Sequence, residues 1–278
     1  MSNWYSFKVG DFNCLAINDG TLIGEALPLF TNASEAELMQ ALEKHELQPD
    51  HLPSSWTCLL VETPDHLVLV DTGLSNAINL GGGGLFFGLQ NAGIAPEDVD
   101  TVILTHGHLD HVGGCTNANG ESSFPNARFV MPQSEWDYWT SLDEKPEQFA
   151  GGLVRQRLLP IESQLETIQP DTEIVPGIRA FPAHGHSIGH IALDIESGGD
   201  RLLHLVDAVL HPIHVEHPDW VAIFDMFPDQ MVNTRRELCR LAAETEAMTL
   251  FFHFAPFPGL GYIVEKGNAW EWEHIESE

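Results

Sequence analysis

Short apolar runs alternate along the chain with polar segments that contain glycine and proline. Nine of these runs are four or five residues long and rich in Val, Ile, Leu and Phe. Runs of that length and composition are typical of buried β-strands. We therefore predict strands at 57–61, 67–71, 101–105, 128–131, 178–181, 191–195, 202–206, 221–224 and 249–252.

Three longer segments, 33–46, 133–141 and 230–246, carry apolar residues near helical spacing, and Asn32 or Ser34 is a candidate N-cap for the first. Strands and helices interleave along the chain, which predicts an α/β fold in which helices cover sheets. Neither an internal repeat nor a low-complexity linker interrupts the sequence. We expect one continuous domain over residues 1–278.

Two segments do not fit this pattern. Residues 80–88 read LGGGGLFFG, and four consecutive glycines are unfavourable in a helix or a strand, so we predict a mobile loop there. This loop lacks the Lys-Ser/Thr ending of a phosphate-binding loop, which argues against nucleotide binding. The tail, 270–278, combines two tryptophans with four glutamates. We predict that it forms a terminal strand or strap that packs its aromatic side chains on the body of the protein.

The composition limits the partners of the protein. Of its 278 residues, 43% are hydrophobic, which is enough for a buried core, and 12 Lys+Arg against 41 Asp+Glu give a net charge of −29. This charge repels nucleic acid and anionic membrane surfaces. The chain contains no long apolar stretch, no signal-peptide pattern and no CxxC pair among its four cysteines. We expect a cytoplasmic protein with reduced thiols.

Histidine is unusually abundant. The chain has 15 histidines, more than its Lys+Arg total of 12, and ten of them fall between His106 and His217. The densest group is His106-Gly107-His108-Leu109-Asp110-His111, directly after the predicted strand 101–105. Imidazole nitrogens and carboxylate oxygens are ligands for zinc and similar divalent ions. A strand end delivers His106 and His108 toward one ion, and Asp110 and His111 follow, displaced toward a second.

Further ligands follow other predicted strands. His184, His186 and His190 come after the strand at 178–181, Asp207 ends the strand at 202–206, and His253 ends the strand at 249–252. Loops at one rim of a layered sheet fold can converge on a common site. These residues complete the ligand count for two ions. Asp71 is expected to accept the second N–H of a metal-binding imidazole.

The remaining histidines are assigned by position. His204 lies inside a predicted strand and is expected to pack there. His211, His214 and His217 lie in a segment interrupted by prolines, where we expect exposure, with one of them as a candidate for the pocket wall.

The strings THGHLDHVGG and GHSIGH, with Asp207 in VDAV and His253 in FFHF, resemble the metallo-β-lactamase superfamily from about residue 13 to 264. DTG at 71–73, FPNARFV at 124–130 and FHFAPFPGLGYI at 252–263 resemble the branch of methyl parathion hydrolase and related lactonases. The resemblance implies a four-layer αββα sandwich with mixed sheets. It also implies that His106, His108 and His186 hold one ion, that Asp110, His111 and His253 hold the other, and that Asp207 bridges both. His186 is preferred to His184 because it is the first histidine of the GHxxGH pattern, and His190 is then structural or supports the ligands.

The resemblance and the ligand set together predict a metal-dependent hydrolase. A hydroxide held between two divalent ions attacks an ester carbon, while Asp110 steers it and passes a proton to the leaving group. Zinc is the favoured metal, and manganese, iron and cobalt are also compatible with these ligands. The expected substrate is a lactone or a related small ester, with phosphotriesters as a side activity, and a homodimer is compatible with the resemblance. Phe86, Phe87 and Phe254 are candidate apolar walls of the substrate site.

The charge and the motifs also bear on competing functions. Net acidity disfavours a nuclease, and the absence of a signal peptide disfavours a β-lactamase. A thioesterase that resembles glyoxalase II shares the motif but requires basic residues that we do not find clustered. Many acyl-homoserine-lactone hydrolases carry Tyr three residues after the bridging Asp, where this chain has Leu210. A metal-binding protein without turnover and an iron protein with redox chemistry are also compatible with this ligand set.

Overall fold

The computed structural model describes residues 3–75, 81–141 and 150–275 and contains two seven-stranded β-sheets. The first sheet has the order β1-β2-β3-β4-β5-β6-β7, and its strands are β1 (Trp4–Val9), β2 (Phe12–Gly24), β3 (Leu52–Glu62), β4 (Leu67–Val70), β5 (Thr101–Ile103), β6 (Arg128–Pro132) and β7 (Leu165–Ile168). The second has the order β14-β13-β12-β11-β10-β9-β8, and its strands are β8 (Glu173–Val175), β9 (Ile178–Pro182), β10 (Ile191–Ser197), β11 (Asp200–His204), β12 (Met248–Leu250), β13 (Leu260–Lys266) and β14 (Ala269–His274).

Both sheets are mixed. In the first, β1 to β4 pair antiparallel and β4 to β7 pair parallel. In the second, β11 and β12 pair parallel and the other neighbours pair antiparallel. Parallel neighbours end at the same edge of a sheet, so the loops that follow them are brought together.

In the described part of the chain, seven helices cover the outer faces and edges of the two sheets. They are α1 (Glu35–Lys44), α2 (Gly84–Asn91), α3 (Leu109–Val112), α4 (Gln133–Thr140), α5 (Gly151–Leu158), α6 (Pro212–Glu216) and α7 (Pro228–Thr245). Within the described residues, none of these helices combines the length and the apolar character needed to span a membrane. The helix predictions hold within a few residues, and Ser34, whose hydroxyl accepts a hydrogen bond from the Glu37 N–H, is the N-cap of α1.

Three of the four apolar clusters in the described core form layers against the two sheets. Side chains such as Leu59, Val68 and Ile103 from the first sheet meet Ile178 and Leu193 from the second. The opposite face of the first sheet packs under α2, α4 and α5, and the outer face of the second sheet packs under α7. Strands that are buried on both faces carry continuous apolar runs, which explains why the sequence pattern predicted β3 and β4. The predicted four-layer αββα sandwich with mixed sheets is confirmed.

Two local predictions were wrong. Residues 221–224 form no strand; Ile223 N–H donates to Pro28 C=O and Thr31 N–H donates to Val221 C=O, without a regular ladder. Within the predicted loop at 80–88, residues 84–88 belong instead to α2, and residues 81–83 lead into it without regular structure. Leu80, the first residue of this glycine-rich segment, lies outside the described residues.

Asp19 fixes this glycine-rich segment. Its buried carboxylate accepts hydrogen bonds from the backbone N–H groups of Leu74, Gly83 and Leu85, at 2.8, 2.9 and 3.0 Å. Burial raises the pKa of this carboxyl group, and the three backbone donors oppose that rise. The Asp19 carboxylate therefore accepts hydrogen bonds from backbone N–H groups at the N-terminus of α2 that have no partner within the helix.

The sequence pattern missed β1, β2, β7, β8 and β13, whose exposed positions break up the apolar runs. The predicted terminal strand is present as β14, and its Trp270 and Trp272 pack against the apolar layer beneath α7. The last three residues of the predicted tail lie outside the described residues.

We predict opposite effects for two Gly→Ala substitutions in helices. A Cβ at Gly88 of α2 would overlap Cγ2 of the buried Ile17 on β2, so Gly88→Ala lowers the free energy of unfolding by about 1–2 kcal/mol. Gly152 of α5 has no atom within 4 Å of an added Cβ, so Gly152→Ala leaves stability unchanged or raises it by up to ~1 kcal/mol. Urea unfolding of both variants measures the difference, and a more stable Gly88→Ala protein would show that α2 does not pack on β2 in this way.

Candidate metal centre

Four loops at strand ends carry the predicted metal ligands. His106 and His108 follow β5, and Asp110 and His111 lie on the short helix α3 immediately after them. The loop after β9 carries His186, and the segments after β11 and β12 carry Asp207 and His253, respectively. The first sheet therefore supplies four of these side chains and the second sheet supplies three.

The structure brings all seven side chains together in two groups. The first contains His106, His108, His186 and Asp207, and the second contains Asp110, His111 and His253. Within each group, the candidate ligand atoms all lie within 4.8 Å of one another. The first group is buried throughout, whereas Asp110 and His253 of the second are partly accessible.

Asp207 lies between the two groups. Its Oδ2 is 3.8 Å from Nε2 of His106 and 3.3 Å from Nε2 of His186, both in the first group. The same oxygen is 3.3 Å from Nε2 of His111 and 3.2 Å from Nε2 of His253, both in the second. One carboxylate is thus shared by four imidazoles.

Outer partners fix which nitrogen each imidazole presents to this centre. His111 Nδ1 lies 2.8 Å from Asp71 Oδ2, as predicted for Asp71, and His186 Nδ1 lies 3.1 Å from Asp225 Oδ1. Both carboxylates accept a hydrogen bond from Nδ1–H, so Nε2 is the nitrogen that each ring presents to the centre. These Nε2 atoms face the negative charge of Asp207, and each supplies a lone pair to a metal ion once its ring has lost the second proton.

His106 is oriented in the same way through Thr105. The Thr105 hydroxyl donates a hydrogen bond to Asp71. Its oxygen lies 3.2 Å from His106 Nδ1 and therefore accepts a hydrogen bond from Nδ1–H. Among the described residues, Nε2 of His106 and Oδ1 of Asp207 are buried and have no hydrogen-bond partner. A buried acceptor without a partner is costly, and a bound divalent ion satisfies both atoms at once. The donor set therefore fits metal ions.

The pKa shifts reflect this crowding of charge. Burial together with His111 and His108 holds the pKa of His106 well below its usual range. Burial opposes protonation of His186, but its hydrogen bonds to Asp207 and Asp225 outweigh it and raise the pKa to about 9. For Asp207, burial favours the neutral form, yet His253 and His111 hold its pKa well below the usual value. Asp207 is thus an ionised carboxylate in the interior, the form that binds a cation.

Glu135 joins two of the three loops that carry the first group, and no sequence pattern marked it. This fully buried residue of α4 accepts from Gly107 N–H at 2.9 Å through Oε2 and from Gly189 N–H at 2.6 Å through Oε1. The Ser187 hydroxyl and the Trp139 indole N–H donate to the same carboxylate at 2.6 and 2.7 Å. Position 107 must be glycine because a Cβ there would overlap the Trp139 ring.

A buried ion pair between Asp225 and Arg235 supports His186 and Asp207. Asp225 accepts from His186 and lies 3.6 Å from the guanidinium of Arg235, which is fully buried on α7. Arg235 Nε also donates to the carbonyl of Ala208, next to Asp207, at 2.8 Å. The positive charge of Arg235 balances the carboxylate of Asp225, and this pair thereby holds the two segments that carry His186 and Asp207. Its two members are distant in sequence from the ligands, and no motif marks them.

The other histidines have structural positions. His190 lies behind the first group; its Nδ1 is 2.9 Å from Ala183 C=O, and its Nε2 accepts from Asp207 N–H. His204 is buried in β11, as predicted. The predicted exposure of 211–217 was wrong, because α6 folds this segment inward: His211 and His214 are buried and His217 is half-buried.

A cavity of about 430 Å³ opens over the centre. Its walls include five of the seven candidate ligands and a set of apolar side chains from β2, β3 and the loops beside them. The lining residues are Leu22, Gly24, Glu25, Pro28, Leu29, Leu52, Pro53, Ser54, Trp56, Leu74, His108, Leu109, Asp110, Ala150, His186, Asp207, Leu210, His211, Phe224 and His253.

The three phenylalanines that we expected in this wall lie elsewhere. Phe254 is fully buried and stacks on Phe251, with 3.8 Å between ring centroids. Phe86 stacks against Phe124, and Phe87 is 58% exposed on the outer side of α2. The helix that begins at Gly84 turns both side chains away from the cavity. Phe224 and Trp56, which the sequence pattern did not single out, take the aromatic positions in the wall.

Comparison with known proteins agrees with this arrangement. The sequence profile of the metallo-beta-lactamase superfamily matches residues 54–253. The N-acyl homoserine lactonase AiiA of Bacillus thuringiensis subsp. kurstaki is 28% identical over 219 residues, which cover 70% of this chain and 80% of the lactonase.

Two of the similar solved structures each cover 100% of this chain. One is AidC, a dizinc quorum-quenching lactonase in complex with the product N-hexanoyl-L-homoserine, with a TM-score of 0.93, 25% identity and coverage of 100% of this chain and 99% of AidC. The other is the hydrolase AbOPH of the beta-lactamase superfamily, with a TM-score of 0.91, 26% identity and the same coverage. This chain belongs to the metallo-beta-lactamase superfamily and is a metal-dependent hydrolase.

Proposed function

We propose that the protein is a dinuclear lactonase that opens the ring of a lactone bearing an apolar chain. The observation that carries the proposal is the cavity, whose wall combines five of the seven candidate ligands with apolar side chains. The lactonases AiiA and AidC among the similar proteins support the same reaction class.

The proposed ligands are His106, His108, His186 and Asp207 for one ion and Asp110, His111, His253 and Asp207 for the other. Bound divalent ions supply a nucleophile from water near neutral pH and polarise the ester carbonyl. Zinc is the proposed metal because imidazole and carboxylate ligands suit it and because AidC is a dizinc enzyme.

The protein's own residues determine orientation and proton transfer. Asp110 lines the cavity with its side chain 24% exposed, and its Oδ2 lies 3.4 Å from His253 Nε2. Its carboxylate therefore reaches the substrate space, where we propose that it accepts a proton from the attacking water and passes it to the ring oxygen as the C–O bond of the lactone breaks. Ser54 holds His253 from behind, through contacts of 3.2 Å to both Nδ1 and the carbonyl.

The lining favours an uncharged substrate with an apolar chain. Leu22, Leu29, Leu52, Trp56 and Phe224 supply apolar surface, and Glu25 adds a carboxyl group. Among the described lining residues there is no Lys or Arg, so the cavity offers little to the carboxylates of a glutathione thioester. N-acyl homoserine lactones satisfy these requirements, and phosphotriesters are a proposed side activity.

Metal analysis combined with a substrate panel tests the proposal. We expect two metal equivalents per chain and metal-dependent hydrolysis that is fastest for lactones with an acyl chain, compared with aryl esters, phosphotriesters and thioesters. A chelator abolishes turnover, and zinc restores it. Preference for thioesters, or two bound metals without hydrolysis of any member, would contradict a lactonase.

The shared carboxylate gives a sharper prediction. Asp207→Asn removes the charge that faces four imidazoles, so we expect loss of at least one metal equivalent and a fall in kcat of ~100-fold or more, beyond the effect of removing a supporting residue. Asp219→Asn removes an equal charge from an exposed pair with Arg236 and serves as the matched control. A fully metallated, active Asp207→Asn protein would exclude the bridging role.

The carboxylate of Glu135 accepts four hydrogen bonds, which gives a prediction about positioning. Glu135→Gln replaces one acceptor oxygen by an NH₂ group that faces two donors, so we expect zinc affinity to fall by about 10–100-fold. Stability falls by about 1–3 kcal/mol. Glu244→Gln, in an exposed pair with Arg240, is the control. Competition with a chromophoric chelator measures affinity, and equal affinity in both variants would show that Glu135 does not align the ligand loops.

A further inference from the structure

His211 contributes a polar group to the cavity that the proposed metal chemistry does not use. It lies four residues after Asp207, next to Leu210, and both side chains belong to the cavity wall. The residue is 5% exposed and caps the N-terminus of α6. A buried polar side chain in an otherwise apolar wall is a candidate for recognition of a polar group in the substrate.

The helix cap determines the tautomer of this ring. Ile213 N–H donates to Nδ1 of His211 at 3.2 Å, so Nδ1 is an acceptor and the proton of the neutral ring is on Nε2. Burial and the neighbouring His45 lower the pKa of His211 to about 3, which keeps the ring neutral. His211 is therefore a fixed N–H donor, with no further hydrogen-bond partner among the described residues.

The other polar side chains of the wall are less suited to this task. The Ser54 hydroxyl is engaged with His253, and Glu25 offers a carboxyl group rather than an N–H donor. Trp56 carries an indole N–H but packs with the apolar layer under α2, and its ring edge lies against Gly20. Outside the proposed ligands, His211 and Trp56 are thus the two wall residues in the described chain with a side-chain N–H.

The surroundings of His211 show which part of a substrate it would meet. Its ring contacts are with Phe30 and His45, at centroid distances of 5.7 and 6.5 Å, whereas the candidate ligand histidines contact one another. His211 therefore lies beside Phe30, which directly follows the wall residues Pro28 and Leu29 in the chain. In an N-acyl lactone, the amide lies between the ester carbonyl and the acyl chain, so it occupies this intermediate region when the ester reaches the ligand groups.

We propose that Nε2–H of His211 donates a hydrogen bond to the amide carbonyl oxygen of an N-acyl lactone and thereby selects substrates that carry this amide. The assignment rests on the proposed lactonase function. It gives the protein a polar recognition group although Leu210 has no hydroxyl.

The test compares two substrates and three variants. The substrates are N-hexanoyl-homoserine lactone and a γ-butyrolactone with an alkyl chain of matched length and no amide. His211→Asn keeps a capping acceptor for Ile213 N–H but is too short to reach the cavity, whereas His211→Gln extends an N–H donor toward the position of Nε2. Trp56→Phe removes the other candidate donor. Metal content is measured for each protein.

We expect His211→Asn to reduce the ratio of kcat/KM for the amide substrate to that for the alkyl lactone by about 3- to 10-fold, mainly through KM, which corresponds to one neutral hydrogen bond. His211→Gln stays close to the wild-type ratio. An unchanged ratio in His211→Asn, an equal loss on both substrates, or a reduced ratio confined to Trp56→Phe overturns the assignment. Failure of the wild-type enzyme to open either lactone refutes the proposed function instead.

Discussion

The centre depends on one constraint, which is that an ionised carboxylate oxygen is buried among imidazole nitrogens. Asp207 Oδ2 lies within 3.2–3.8 Å of four Nε2 atoms, and these rings come from three different loops. The backbone conformation helps to place Asp207 among these nitrogens, since Val206, immediately before Asp207, has φ of +50°. A left-handed β-branched residue costs about 1–3 kcal/mol, and the full burial of Val206 in the apolar layer holds it there.

Three buried carboxylates form a frame around the centre. Asp71 orients His111 and, through Thr105, His106; Asp225 orients His186; Glu135 holds the backbone of both loops. None of them belongs to the two ligand groups. A protein with a net charge of −29 thus places negative charge in its interior as well as on its surface. Arg235 balances part of it, and the Nδ1–H groups of His111 and His186 donate hydrogen bonds to Asp71 and Asp225.

The sequence predicted what local patterns encode. The candidate ligands at 106–111 are adjacent in the chain, and eight of the nine apolar runs coincide with strands because buried strands require continuous apolar residues. The family resemblance supplied the layer order. Features that depend on distant partners escaped prediction: α2 forms because Asp19, more than sixty residues away, accepts its N-terminal N–H groups, and this helix turns Phe86 and Phe87 away from the cavity. Glu135 acts through backbone donors of other segments, which no motif records.

The candidate ligand side chains come from both sheets, with His106, His108, Asp110 and His111 after β5 and the remainder after β9, β11 and β12. Ions held there constitute a non-covalent cross-link between the N-terminal and C-terminal halves of the polypeptide. Such a link exists only when both halves are folded, so its binding free energy adds directly to their cohesion. The ligand side chains therefore have two roles: they support catalysis, and they increase the resistance of the folded protein to heat and proteases.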